Sequence, residues 1–341
     1  MAVICLSLAS ISGCKKAEVP SDDPSKDPAI SGTPISFIPE DPFTKAGLAD
    51  INTLQSEGCK VWGMITSTAH PEGIHQFDES GTDLTYDSTI PGWTYSPVRY
   101  WMDGTYNFAA IHPADLQATY EIPDGGDSPV LKVENFDVTP QNEFLVAFNN
   151  GIDGRAHPDE VDLTFRHALS NIQIQLSLDK EDFFELDQSG NIIKQVGYAF
   201  VSLLGFEGIS TKATLTATSA ENMIWNSSQS GSQILSYADN MPEIRADWSN
   251  FLGGDGMFTI PQSLLTGQSD LYMIVVIYPL GNASDRVTKE FRIPLNSGVS
   301  EWIPNTKYIY RGVVTQDLII DFSVTRVNDW ENENLGGFIV S

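Results

Sequence analysis

Basic residues are scarce in this chain. Nineteen lysines and arginines stand against 45 aspartates and glutamates, a formal net charge of -26. A field of that sign repels phosphate backbones, which argues against a nucleic-acid partner, and it leaves no polybasic patch for an anionic membrane surface. Long hydrophobic runs are also missing, so no stretch of apolar residues is of the length that spans a bilayer as a helix. Cysteine is limited to Cys5, Cys14 and Cys59, with no C-x-x-C pair to suggest a zinc ribbon or a dithiol redox site. The sequence has no G-x-S-x-G elbow, no Walker A loop, no H-E-x-x-H and no G-x-G-x-x-G. The reading is a protein that is not an enzyme, with no catalytic residue, metal or cofactor.

What is present is enough to fold. Hydrophobic residues make up 41% and aromatics 10% of 341 residues, sufficient for two domains of ordinary size or one large β domain. Proline and glycine punctuate the chain about every ten residues, the spacing of turns in a β-sandwich. Period-two alternation marks strands at Ile35 and Phe37, at Tyr106 to Ile111, and at Leu318, Ile320, Phe322 and Val324. The unbroken apolar run Leu271 to Tyr278 predicts a central strand covered on both faces. Helical periodicity is scarce, with short helices allowed near Asp115 to Gln117 or Lys180 to Asp182.

Val161, Leu163, Phe165, His167 and Leu169 share one parity, whereas Ile172, Ile174, Leu176 and Leu178 share the other. Side chains alternate faces along a strand, so a bulge or a crossing between sheets must fall near Ser170-Asn171. His167 lies on the apolar parity and reads as a satisfied core histidine. The turn-rich segment Asn149 to Pro158 places a domain boundary near residue 157.

The N-terminus speaks to compartment. Ala2 to Ile11 is a short apolar run that ends in Ile11-Ser12-Gly13-Cys14, which resembles a bacterial lipobox with Cys14 as the acylated residue. No lysine or arginine precedes the run, a departure from the usual signal peptide. The stretch that follows is rich in Pro, Asp and Ser, as a flexible tether would be. Cys59 is then left alone and reads as a small buried side chain. His70 and His75, with Asp78 nearby, occupy a Pro/Gly loop that lacks a fourth metal ligand. Acidic pairs for glycoside hydrolysis are too many to be informative. The tryptophans Trp62, Trp93, Trp101, Trp225, Trp248, Trp302 and Trp330 fit core packing beside strands, with sugar stacking as the alternative.

Several segments carry a family resemblance. They are WTYSPVRYW at Trp93–Trp101, YNFAAIHP at Tyr106–Pro113, FRHALSNI at Phe165–Ile172, FTIPQ at Phe258–Gln262, WIPNTKYIY at Trp302–Tyr310 and VNDW at Val327–Trp330. Taken in order, from about residue 33 to the end, they resemble the fimbrillin-like (type V pilin) lipoprotein family of Bacteroidetes. The resemblance implies an all-β fold: two tandem transthyretin-like β-sandwich domains after a lipoprotein signal and flexible tether. The expected bounds are residues 1–13 for the signal, 14–32 for the tether, 33–156 for the N-terminal β-sandwich domain and 157–341 for the C-terminal one.

The resemblance further implies a fimbrial subunit or an accessory or tip adhesin, lipid-anchored through Cys14 at the outer membrane and surface-exposed. A trypsin-like protease would cut beyond the first strand, here Thr33 to Phe43, with Lys45 as the candidate site. The cut would open a groove for a strand donated by another pilin subunit, itself or a heterologous one. Phe338, Ile339 and Val340 are the candidate donor residues in this chain, and a host or bacterial surface receptor is a further partner. Lys45 stands where some members carry arginine, and the short C-terminal tail leaves polymerisation open. The competing reading is a glycan-binding surface lipoprotein that does not polymerise. A glycosidase is the third.

Overall fold

The run Tyr106 to Ile111 forms a strand, as expected, and that strand lies in the middle of a sheet. The computed structural model describes residues 30–40, 51–227, 231–237, 240–253, 256–279, 283–317 and 319–328. The fold is an all-β sandwich. Helix among the described residues is confined to short pieces, Ile51–Glu57 and Lys180–Phe183 together with 3-10 turns.

In the first half, strand Thr105–His112 lies between Cys59–Thr66 and Leu145–Asp153, antiparallel to both. Thr82–Asp87 and Gly92–Thr94 extend the sheet on one side and Arg166–His167 on the other. Successive side chains feed two different cores. Tyr106, Phe108 and Ala110 join Val61, Ile65, Ile35, Phe37 and Leu163 on one face. Ala109 and Ile111 join Trp62, Met64, Leu131, Val133 and Leu215 on the other. The strand is buried on both faces over Ala109 to His112, so the alternation that marks it in sequence is one of two cores and not of core and solvent.

The second of those cores is closed by a four-stranded sheet, in the order Asn222–Asn226, Lys212–Ser219, Val130–Asp137 and Thr119–Glu121. Leu131 pairs with Ala217, Val133 with Leu215 and Phe136 with Ala213. The hairpin 212–226 is thus threaded from far along the chain into the packing of the first half.

The other sandwich lies between two further sheets. One has Asp270–Tyr278 at its centre, flanked by Tyr198–Ile209 and Val287–Pro294. The other pairs Ser170–Leu178 in parallel with Thr306–Val314, which pairs antiparallel with Ile319–Asn328. The parity change near Ser170 is a crossing between cores. Val161, Leu163 and Phe165 belong to the first-half core, and Ile172, Ile174, Leu176 and Leu178 to the core of this sandwich.

Asp270–Tyr278 is central in its sheet but only one face is fully covered. Leu271, Met273, Val275 and Ile277 enter the core, whereas Tyr272, Ile274 and Tyr278 are half-buried. Long neighbours shield that second face: Arg292 lies over the Tyr272 ring at 4.6 Å, and Phe200 meets Tyr278 edge-on at 5.8 Å. An apolar run there does not need a second protein layer.

Local chemistry sets the helices. Asp179 caps Lys180–Phe183 by accepting from the amides of Glu181 and Asp182 at 2.9 and 3.0 Å. Residues 115 and 116 form turn and bend, and 117 is irregular; none is helical. Helix Ile51–Glu57 has one buried residue, Leu54, too little for periodicity to reveal. It stops at Gly58, whose φ is +74° and whose amide donates to the Leu54 carbonyl at 2.8 Å.

One buried polar chain locks the second sandwich. Trp302 Nε1 donates to the Tyr310 hydroxyl at 2.9 Å, and that hydroxyl donates to the Leu295 carbonyl at 3.0 Å. Tyr310→Phe leaves both without this partner inside the core. The expected loss is about 1–3 kcal/mol, read as a lowered urea midpoint at unchanged m-value.

Candidate functional site

Ile35 and Phe37 are 2% and 3% exposed, although the segment carrying them is lightly fastened. Among the described residues each of its two short strands has a single strand partner. Ile30–Pro34 pairs antiparallel with Tyr100–Met102, with a register shift between Ile30 and Pro34. Phe37–Glu40 pairs in parallel with Val161–Thr164. The links between and beyond these pairings run Ile35 N–H to Arg99 O at 2.9 Å, Val161 N–H to Ser36 O at 2.8 Å and Phe165 N–H to Glu40 O at 3.2 Å.

The side chains hold more than the backbone does. Phe37 meets Phe108 edge-on at 5.3 Å, Phe77 at 5.6 Å and Tyr95 at 5.8 Å. Alternation places Ile35, Phe37 and the buried Pro39 on one face, so the segment works as a row of plugs in the core it shares with Val161, Leu163 and Phe165 of the neighbouring strand. The Tyr95 hydroxyl donates to the Ile35 carbonyl at 2.7 Å and accepts from the Arg99 amide at 3.2 Å. Burial pushes the Tyr95 phenol up from its ordinary range, so it remains a donor at neutral pH.

Beside Tyr95 opens a cleft of about 480 Å³. Asp78, Asp83, Thr85, Thr94 and Arg99 share its lining with Tyr95. Asp78 accepts from the Ser80 hydroxyl at 2.7 Å and the Ser80 amide at 3.0 Å. These bonds, helped by the Arg99 charge, hold its carboxyl below the usual carboxylate range. Asp83 lies 3.9 Å from the Lys60 ammonium. Arg99 makes no ion pair among the described residues.

Cys14, Lys45, Phe338, Ile339 and Val340 lie outside the described residues. Cys59 is fully buried at the start of its strand, where desolvation, reinforced by the Asp83 carboxylate, pushes its thiol up to about 12. Such a thiol is not a nucleophile at neutral pH. His70 contacts Glu72 at 3.1 Å, and His75 sits in a short strand opposite Met64. His167 is buried with its Nδ1 2.6 Å from Glu143 Oε1.

The tryptophans divide clearly. Trp62, Trp101 and Trp302 are buried, Trp93 and Trp225 are half-buried, and Trp248 is 47% exposed. Trp330 is outside the described residues. The Arg99 cleft was not found from sequence, because its polar residues are scattered over two loops and two strand ends with no fixed spacing. Its one sequence trace is an arginine inside an aromatic run, Tyr95 to Trp101.

A family model described as fimbrillin-like matches residues 51–330. No curated protein matches the sequence. Among solved structures the chain is similar to a fimbrial protein from Bacteroides vulgatus, with a TM-score of 0.59 at 16% identity, over 86% of this chain and 98% of that one. A candidate cell adhesion protein from Bacteroides uniformis is similar with a TM-score of 0.48 at 14% identity, over 88% and 99%. At such identity the Bacteroides vulgatus likeness shows the fold. Among the described residues no helix is long and apolar enough to cross a membrane.

Proposed function

The chain belongs to the fimbrillin-like family, and on that premise we propose that it is a fimbrial subunit or accessory adhesin of the cell surface that assembles by exchanging its own first strand for one from another subunit. The role is structural and not enzymatic. The observation that supports the exchange is the contrast within residues 30–40: deeply buried plugs on a backbone with one strand partner per strand. Loss of the segment uncovers apolar surface at Phe77, Phe108 and Val161, and leaves unpaired backbone groups along Val161–Thr164. Each vacated plug position is worth about 1.5–3 kcal/mol to a side chain that refills it. An extended peptide with alternate apolar residues restores both the hydrogen bonds and the burial.

In this reading a trypsin-like protease cuts after Lys45, Cys14 carries the lipid that anchors the precursor at the outer membrane, and Phe338, Ile339 and Val340 supply the donated strand. The processed subunit then belongs to the fimbrium, with self or heterologous pilin subunits as partners. Limited trypsin digestion of the soluble, non-lipidated precursor tests it. The expected result is one early cut giving a new N-terminus at Ala46, followed by filaments in negative stain. No cut near Lys45, or a trimmed product that stays monomeric at high concentration, overturns the exchange mechanism and leaves the adhesin role.

A second reading, glycan binding without polymerisation, has one observation in its favour. Trp248 keeps about half its ring in solvent, with the Arg311 guanidinium 5.6 Å from its centroid. On a glycan array Trp248→Ala is expected to abolish any signal this surface gives, and an unchanged signal removes it as the site.

A further inference from the structure

We infer that the sheet edge formed by Asn222–Asn226 and Gly231–Ser236 is a docking site for a second copy of this chain, joined antiparallel edge to edge, with Ile224 of each copy set against Ile234 of the other. This goes beyond strand exchange and does not rest on it. The contact forms on the unprocessed chain, closes as a two-fold dimer and makes no filament.

Two strands from different sheets share this edge. Asn222–Asn226 ends the four-stranded sheet, and Gly231–Ser236 lies at the rim of the sheet centred on Asp270–Tyr278. Both follow one run of chain. Asn226 pairs with Thr214 and Gly231 with Ile209, and between those pairs the Ser210 hydroxyl donates to Ser227 Oγ at 2.7 Å. Among the described residues neither strand has a second strand partner, so alternate N–H and C=O groups on the far side of each are open to an added strand.

Edges are usually guarded by charge. The opposite rim of the second sandwich, Val287–Pro294, carries Lys289, Glu290 and Arg292, which discourage strand addition. The edge at 222–236 has no such guard. No charged residue falls between Glu221 and Asp239, the longest uncharged stretch in the chain. In each strand the exposed side chains fall at alternate positions, and among them Ile224 is 53% and Ile234 50% exposed.

The strip fits its own copy. A chain with 26 more acidic than basic residues is repelled by a second copy, and least where two uncharged strips meet. The register is also self-complementary. A two-fold antiparallel contact that sets Ile224 against Ile234 sets Asn226 against Ser232, and repeats both pairs on the other side of the axis. The contact thereby covers, twice over, a pair of isoleucines that are half in water in the single chain. A strip this narrow makes a weak complex.

The test uses the full soluble, unprocessed chain in sedimentation velocity from about 1 µM to about 1 mM, the span of weak association. The expected result is a shift from monomer to dimer, with slower hydrogen exchange at residues 222–226 and 231–234 at the high end. Ser232→Lys is expected to weaken the dimer at least about tenfold with the far-ultraviolet spectrum unchanged, whereas Thr288→Lys on the opposite rim leaves it as it was. Ile224→Glu and Ile234→Lys are each expected to weaken association alone and to restore it when mixed, since the mixture sets opposite charges against each other. A monomer throughout, or a dimer that Ser232→Lys leaves intact, overturns the edge contact. A mixture that associates no more tightly than its parts overturns the register and with it the self-pairing. Either failure leaves strand exchange untouched, because that is read only after trimming.

Discussion

Phe37→Ala is expected to destabilise the protein by about 3–5 kcal/mol, the cost of truncating a buried aromatic in a core that collapses only partly. The ring is 3% exposed and touches three other rings, Phe77, Tyr95 and Phe108, so its removal leaves a cavity walled by side chains that are themselves fixed. The backbone around it offers little reserve, because Phe37–Glu40 has one strand partner among the described residues. The loss should therefore appear in two measurements: a lower urea midpoint, and faster hydrogen exchange over residues 35–40 than in the strand Thr105–His112. Ile224→Ala is the matched control. Ile224 is 53% exposed, and its replacement should change stability by no more than about 0.5 kcal/mol. A Phe37→Ala variant as stable as this control would mean that the first segment does not share in the core.

Glu143→Ala is the second large effect. Glu143 and His167 approach to 2.6 Å, with side chains 7% and 4% exposed. His167 lies directly across from Leu145 in the ladder, and Glu143 stands two residues before Leu145, just ahead of that strand. Taking away the carboxylate strands a polar ring in the interior, which costs about 1–3 kcal/mol, in addition to the space that the side chain leaves. Removing both members should cost much less. Glu143→Leu combined with His167→Leu is expected to recover at least half of the single-mutant loss, because two apolar groups need no partners there. A double-mutant cycle in urea reads this directly. Strict additivity of the two changes would show that the pair carries no interaction.

His167 also illustrates what can be read along a chain and what cannot. Its place on the apolar parity of Val161 to Leu169 is local information, and it predicts a core histidine. Its partner is not local. Glu143 sits in a stretch of polar residues whose side chains would face water in most contexts, and only the pairing of Leu145 with His167 draws it inside. The parity change near Ser170 was legible for the same reason as His167, and the two cores on either side of it give it a physical cause. The tryptophans were legible in part: core packing holds for Trp62, Trp101 and Trp302, and Trp93 and Trp225 pack against the cores, but Trp248 departs. Trp248 and Trp302 both stand beside strands, yet one is half in solvent and the other fully buried, because the face each presents depends on which sheet lies opposite. The cleft at Arg99 depends on contacts from Asp78 to Arg99 that bring two loops and two strand ends together, with no repeat for a sequence pattern to register. The segments that carried the family resemblance are local runs of aromatics and turn residues, and these survive reading one residue at a time.

The hairpin 212–226 has a consequence for the order of events during synthesis. Leu215, Ala217 and Ala213 complete the core that Trp62, Met64, Ala109 and Ile111 begin. Those early residues are made long before their covering strands exist. A nascent chain that has reached residue 170 can pair Cys59–Thr66, Thr105–His112 and Leu145–Asp153, yet one face of that sheet stays partly open until about fifty further residues have emerged. During that interval the growing chain displays an aromatic and aliphatic surface to whatever is nearby. Slow translation between residues 170 and 226 lengthens the exposure, and Phe258 and Ile260, which belong to the same core, arrive later still.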